Sequence, residues 1–139
     1  MPHMPVDVHP EVLDALQKQK PVVALESAII THGMPYPTNL ETAQAVEDVV
    51  RSEGVVPATT AVIGGRVKVG LTRGEMARLA DYDNKNIKKL SARDLSPAVA
   101  LGHDGGTTCS ATTTIASMCG IKVCDLENLL SAGVFTIRE

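Results

Sequence analysis

Apolar residues run along this chain in two rhythms, one with the period of a helix and one continuous or alternating. In PEVLDALQ (10–17), Val12, Leu13, Ala15 and Leu16 recur at helical spacing behind a proline at a tolerated first position, and Pro21 closes that helix. VVAL (22–25) is an unbroken apolar run, the mark of a strand buried on both faces. After the Pro-rich loop MPYPTN, Thr38 and Glu41 have capping-box spacing. Leu40, Ala43, Val46, Val49 and Val50 then line one helical face, and Gly54 stops it. PATTAVI (57–63) predicts a strand, Gly64-Gly65 a two-residue turn, and RVKVGL an alternating, half-exposed strand. Thr72 with Glu75 caps another helix, residues 87–90 predict a short strand, and Ser91 with Asp94 opens a further helix. HDGG (103–106) reads as a turn, TCSATTTIASMC as a small-residue helix ended by Gly120, and IKV (121–123) as a strand. Strands alternating with helices predict an α/β fold with a largely parallel sheet flanked by helices.

Composition narrows this picture. The 139 residues suit one ordinary domain, with 44% hydrophobic residues but no Trp, one Phe and two Tyr. The core must rest on Val, Ala, Leu, Ile and Thr, which favours close helix-on-sheet packing. A net charge of −3 and the lack of aromatic platforms argue against nucleic-acid binding. The uncharged run from Gly105 to Ile121 is rich in Ser and Thr and too short for a membrane helix, so no membrane partner is expected. Three cysteines without C-x-x-C spacing suggest neither a disulfide framework nor zinc, and point to an intracellular, reducing compartment. MPHMPVDVHP has no apolar core or arginine, so no signal or transit peptide is expected.

Against this background Glu26 stands out, directly after the apolar run. Ligands collect outside the carboxyl ends of strands in open α/β sheets, and an acid among apolar neighbours holds its proton more readily, as a general acid must. A structural carboxylate paired to a lysine or capping a loop fits the position equally well. His32 could orient a ligand or act as a base, although a loop histidine serves structure more often, and Gly33 suits a tight turn. Lys88 and Lys89, with Arg93 and Asp94 close behind, form a charge cluster. Neighbouring strand residues point to opposite faces, so at most one lysine faces a site, and a solvated cluster is the plainer reading. HDGGTTCS places Gly-Gly ahead of a helix start, where free N–H groups and hydroxyls favour an anion. The rival reading is a small-residue helix packed on the sheet.

PVVALESAIITHGMPYPTN, GVVPATTAVIGGRVKVGL, KKLSARDL and the small-residue helix through GIKV together resemble the pseudouridine-5′-phosphate glycosidases, also called pseudouridylate synthases or indigoidine-synthase-A-like proteins. The resemblance covers residues 10–123 and leaves 124–139 as a divergent tail with a Leu-rich LENLL and a β-like VFTIR. It implies reversible conversion of pseudouridine 5′-phosphate and water to uracil and ribose 5-phosphate. Breaking that carbon–carbon glycosidic bond uses a lysine Schiff base, with manganese nearby. By matching position Glu26 is implied as proton donor and Lys89 as a substrate contact, as is Cys109 through its backbone. A homo-oligomer, commonly a trimer, is implied as well.

The family pattern continues after IKV through a Gly-rich segment to a metal-binding Asp and the Schiff-base Lys. Nothing around Lys122 or Asp125 matches those motifs, so neither residue takes such a role. The sequence therefore implies an incomplete sheet, and a truncated chain that holds no manganese and is inactive alone. The rival readings are a non-catalytic isoform that binds sugar phosphate or joins full-length subunits, and an aggregating fragment with unpaired strand edges.

Overall fold

A computed structural model of the protein describes residues 3–81 and 83–124, the last two as backbone; the LENLL and VFTIR segments lie outside the described residues. Among the described residues seven strands form: β1 (Val6–Val8), β2 (Val22–Leu25), β3 (Val56–Ile63), β4 (Arg66–Val69), β5 (Lys88–Leu90), β6 (Gly105–Thr107) and β7 (Val123–Cys124). The same residues form the α-helices α1 (Pro10–Gln17), α2 (Thr38–Ser52), α3 (Arg73–Leu79), α4 (Leu95–Ala100) and α5 (Cys109–Met118). The sheet is mixed, open and mostly parallel, as the alternating elements predict. Its path is β1-β4-β3-β2-β7, with β6 also on β3 and β5 on β6. Pairing is parallel at β1–β4, β2–β3, β2–β7 and β5–β6, and antiparallel at β3–β4 and β3–β6.

Each sheet face carries helices. On one, α1, α4 and α5 bury Val12, Ala15, Leu95, Ala98, Ala111 and Ile115 against Ala24, Ala58, Val62 and Val67. On the other, α2 and α3 bury Ala43, Met76 and Leu79 against Ala61 and Ile63, and Val50 packs on Val23 and Leu25. The core is built from small and β-branched side chains, as the composition requires, and each larger one adds about 1.5–3 kcal/mol of burial.

Several predicted boundaries move. The first helix ends at Gln17, and Gln19 has φ +56, so the chain has left the helix before Pro21. The N-cap of α2 is Pro37, which makes no side-chain cap bond, Thr38 is its first residue, and Asn39 Oδ1 accepts the Leu40 N–H at 2.8 Å. Val49 is 55% exposed, outside the buried stripe. The Thr72–Glu75 box forms as expected. Ser91 and Asp94 also form their reciprocal box, but it opens a short 3-10 turn (Ala92–Asp94) that runs into α4. HDGG is not a turn, because its glycines lie in buried β6. A π-helical turn over Ile29–Gly33 follows β2, and Gly33 is not among the positive-φ glycines.

Candidate active site

Strand β3 shares one edge between two partners. Strand β2 runs parallel to its first half, ending with Leu25 opposite Thr59, while β6 runs antiparallel to its second half, with Gly106 opposite Ala61. The two strands therefore meet head to head at Thr60, carboxyl end against carboxyl end. Strand β5 runs parallel to β6, with Lys89 opposite Gly106 and Leu90 opposite Thr107, so a third carboxyl end reaches the same place.

The junction is closed by hydroxyls. The Ser27 N–H donates to the Thr107 carbonyl (3.1 Å), and the Thr107 N–H donates to Ser27 Oγ (2.9 Å). Thr107 Oγ1 donates to the Thr60 carbonyl at 2.9 Å. It also lies 2.8 Å from Thr60 Oγ1, 3.1 Å from Thr112 Oγ1 and 3.3 Å from Ser27 Oγ. Thr60 Oγ1 reaches the Leu25 carbonyl at 3.3 Å. Ser27, Thr60, Thr107 and Thr112 are all buried. Among the described residues no buried side-chain nitrogen or oxygen lacks a partner.

Glu26 follows β2 between Leu25 and Ser27 and is half-buried. It lines a small cleft of about 30 Å³ with Ile29, Ile30, Val46 and Thr59. The chain then enters the π-helical turn, a rare conformation found disproportionately at functional sites. This turn packs tightly on β6: a Cβ added at Gly106 would lie 2.4 Å from Thr31 Oγ1 and 2.9 Å from the Ser27 carbonyl oxygen. His32, at the end of the turn, is exposed, and its Nδ1 is 2.6 Å from Thr31 Oγ1. Desolvation, with the positive charge of Lys89, holds the His32 imidazole below its ordinary pKa. Lys88 and Lys89 are both exposed, in keeping with a solvated cluster.

Helix α5 starts where β6 ends. Thr108 is its extended N-cap and makes no side-chain cap bond, and its N–H donates to the Leu90 carbonyl at 2.9 Å. Cys109 is the first helical residue and is exposed. The start of a ten-residue helix directs N–H groups and positive potential outward, which suits an anion. Because Gly105-Gly106 is strand, that anion-facing surface is the helix end alone, without a glycine loop.

The strand and helix ends that carry Glu26, Lys89 and Cys109 thus lie around the β2–β6 junction, although the small cleft at Glu26 is lined by neither Lys89 nor Cys109. The sequence does not single out Ser27, Thr31, Thr60 or Thr112, and the Thr107 hydroxyl, read within HDGGTTCS as open to an anion, is instead buried in this junction. Their signal was hydroxyl residues embedded in apolar runs, in SAII, ATTAV and GGTTCSATTTIAS. A larger cleft of about 280 Å³, lined by His9, Glu47, Arg51 and Arg73, lies between α1, α2 and α3 and holds none of the three candidates. Among the described residues no group of three or more His, Cys, Asp or Glu is placed to hold a metal ion. No helix of the described residues is long and apolar enough to cross a membrane.

Open, mostly parallel α/β sheets form a class of proteins that take ligands outside the carboxyl ends of their strands, where this sheet carries Glu26, Lys89 and the start of α5. The chain belongs to the indigoidine synthase A like protein family, whose model matches residues 11–126. It is 54% identical over 121 residues to a pseudouridine-5′-phosphate glycosidase of Deinococcus radiodurans, covering 87% of this chain and 38% of that one. The corresponding glycosidase of Escherichia coli K12 is 52% identical over 118 residues, covering 85% of this chain and 38% of that one. Among solved structures, the prealnumycin C-glycosynthase AlnA in complex with ribulose 5-phosphate superposes with TM-score 0.76 at 42% identity, covering 88% of this chain and 39% of that one. An indigoidine synthase A-like protein from Thermotoga maritima superposes with TM-score 0.76 at 25% identity, covering 89% and 39%. The chain thus spans 38% of the length of these two curated relatives.

Proposed function

We propose that this chain supplies the N-terminal part of a pseudouridine-5′-phosphate glycosidase, which reversibly converts pseudouridine 5′-phosphate and water to uracil and ribose 5-phosphate. Support comes from one feature above all: the carboxyl ends of β2, β5 and β6 meet at the start of α5. In this reading Glu26 is the proton donor at the sugar or base. Lys89 and the backbone at Cys109 hold the phosphorylated sugar, the lysine as a point charge and the helix start through its N–H groups. The printed names of the relatives and of the sugar-phosphate complex agree with that ligand class.

Cleaving the carbon–carbon bond also calls for the Schiff-base lysine and manganese ligand that the family resemblance implies. No segment of these 139 residues matches them, so the chain by itself is expected to turn over negligibly. A thermal melt with and without ribose 5-phosphate, joined to a uracil-release assay with manganese, tests both statements. Expected are a cooperative transition, an upward shift with ligand that Lys89→Ala abolishes, and no uracil release. The site reading is overturned if saturating ribose 5-phosphate leaves the melt unmoved. Glu26-dependent uracil release would overturn the expected inactivity.

A further inference from the structure

We propose that Thr107 is a positioning residue, whose buried hydroxyl fixes Glu26, Lys89 and the start of α5 relative to one another. This rests on the reading that those groups share one sugar-phosphate site. Two strands meeting head to head on one edge leave a break in the ladder, since neither can pair with the other across Thr60. Thr107 Oγ1 occupies that break, within 3.3 Å of the hydroxyls of Ser27, Thr60 and Thr112 and 2.9 Å from the Thr60 carbonyl.

All three candidate groups hang from this point by one or two residues. Glu26 lies between Ser27, bonded to Thr107 through its amide and its hydroxyl, and Leu25, whose carbonyl is reached by Thr60 Oγ1. Cys109 is two residues beyond Thr107. Lys89 precedes Leu90, which pairs with Thr107 and accepts from the Thr108 N–H. A hydroxyl is the group that can fill such a point, because it donates once and accepts from others without carrying charge into the core. Loss of the oxygen strands several partners at once, whereas loss of the methyl strands none.

The test is an isosteric pair in the full chain. Thr107→Val keeps the shape and removes the hydroxyl; Thr107→Ser keeps the hydroxyl and removes a methyl. Ribose 5-phosphate affinity is read by calorimetry, and the backbone amides of Cys109 and Ser110 by NMR. Expected are a roughly tenfold loss of affinity and broadened Cys109 and Ser110 amides in Thr107→Val, with both restored to near the parent in Thr107→Ser, although each variant loses some thermal stability. Ser27→Ala removes one hydroxyl and leaves the other contacts of Thr107, and is expected to lose about threefold. It decides the matter if Thr107→Val does not fold. If the parent binds and the hydroxyl-free variants bind equally well, the positioning role is overturned and the site reading stands. Equal losses in Thr107→Val and Thr107→Ser overturn it too, since bulk rather than the hydroxyl would then matter. If the parent itself does not bind, the site reading falls and the positioning role falls with it.

Discussion

Two polar networks knit distant parts of this chain together, and they are built on opposite terms. At the β2–β6 junction, four hydroxyls from Ser27, Thr60, Thr107 and Thr112 join segments up to 80 residues apart and are buried. At the β1–β4 edge, Asp7 binds Arg66 through Nε and Nη2 (2.8 and 2.7 Å) and Lys68 through Nζ (2.8 Å), and Lys68 continues to Glu75 (3.3 Å). That ionic network stays near water, with side-chain exposures of 52% for Arg66 and 37% for Asp7. The difference follows from the cost of burial. A hydroxyl satisfied on its donor and acceptor sides can enter a core, whereas an ion pair loses hydration that its mutual attraction barely replaces. The buried network lies at the candidate site and the exposed one lies away from it.

If that contrast is right, the largest effect comes from the buried side. Thr112 Oγ1 donates to the Thr108 carbonyl (2.8 Å) and lies 3.1 Å from Thr107 Oγ1, and Thr112 is 1% exposed. Thr112→Val keeps the shape and removes the buried hydroxyl from the network, while the Thr108 carbonyl keeps the Thr112 N–H at 2.9 Å. Urea unfolding should show a loss of about 2 kcal/mol, the same in low and high salt. A loss below about 0.5 kcal/mol would show that the junction holds without its hydroxyls.

This junction is also where sequence reading was weakest. The VVAL run, the β3–β4 hairpin, the Thr72 box and the Gly120 stop are local signals, and each element forms. Glu26 at a strand's carboxyl end was legible for the same reason. Gly105-Gly106 misled because glycine is used here for close approach and not for a turn. A Cβ at Gly105 would lie 2.5 Å from Leu90 Cδ1, and one at Gly106 would lie 2.4 Å from Thr31 Oγ1. The π-helical turn and β1, three residues near a proline, leave no periodicity to read. The hydroxyl network pairs residues 47 and 80 apart, a relation that exists only once β2 and β6 share an edge.

Glu47 is the intermediate case, a carboxyl taken inward and tied to a hydroxyl. Thr59 Oγ1 donates to its Oε2 at 2.7 Å, yet burial raises its pKa above the ordinary 4.5, outweighing that bond and the charge of Arg51. The folded state then holds this proton more tightly than the unfolded one. Its favourable contribution is complete below 4.5 and is lost as pH rises through the folded value. Glu47→Gln keeps an acceptor for Thr59 and cannot ionise. It should be about 0.5–1 kcal/mol more stable than the parent at pH 7, with the gap closing near pH 4. Urea unfolding at the two pH values reads this, and a variant less stable at pH 7 contradicts it.

The smallest effect belongs to the exposed network. The hydrogen bonds from Arg66, then from Lys68, hold the Asp7 carboxyl well below its ordinary 3.8. A depressed carboxylate contributes stability that is present above the unfolded value and is lost as pH falls through the folded one. Asp7 is more than a third exposed, so solvent screens most of that gain, and Asp7→Asn should cost only about 0.5 kcal/mol at pH 7. The cost should shrink as pH is lowered from 3.8, because the parent's carboxylate is then being neutralised. It should also shrink at 1 M salt, where screening acts over about 3 Å. Thr112→Val should show neither dependence. Equal salt and pH responses in the two variants would mean that the networks do not differ in kind, and that the hydroxyl junction owes its place at the site to something other than the low cost of burying it.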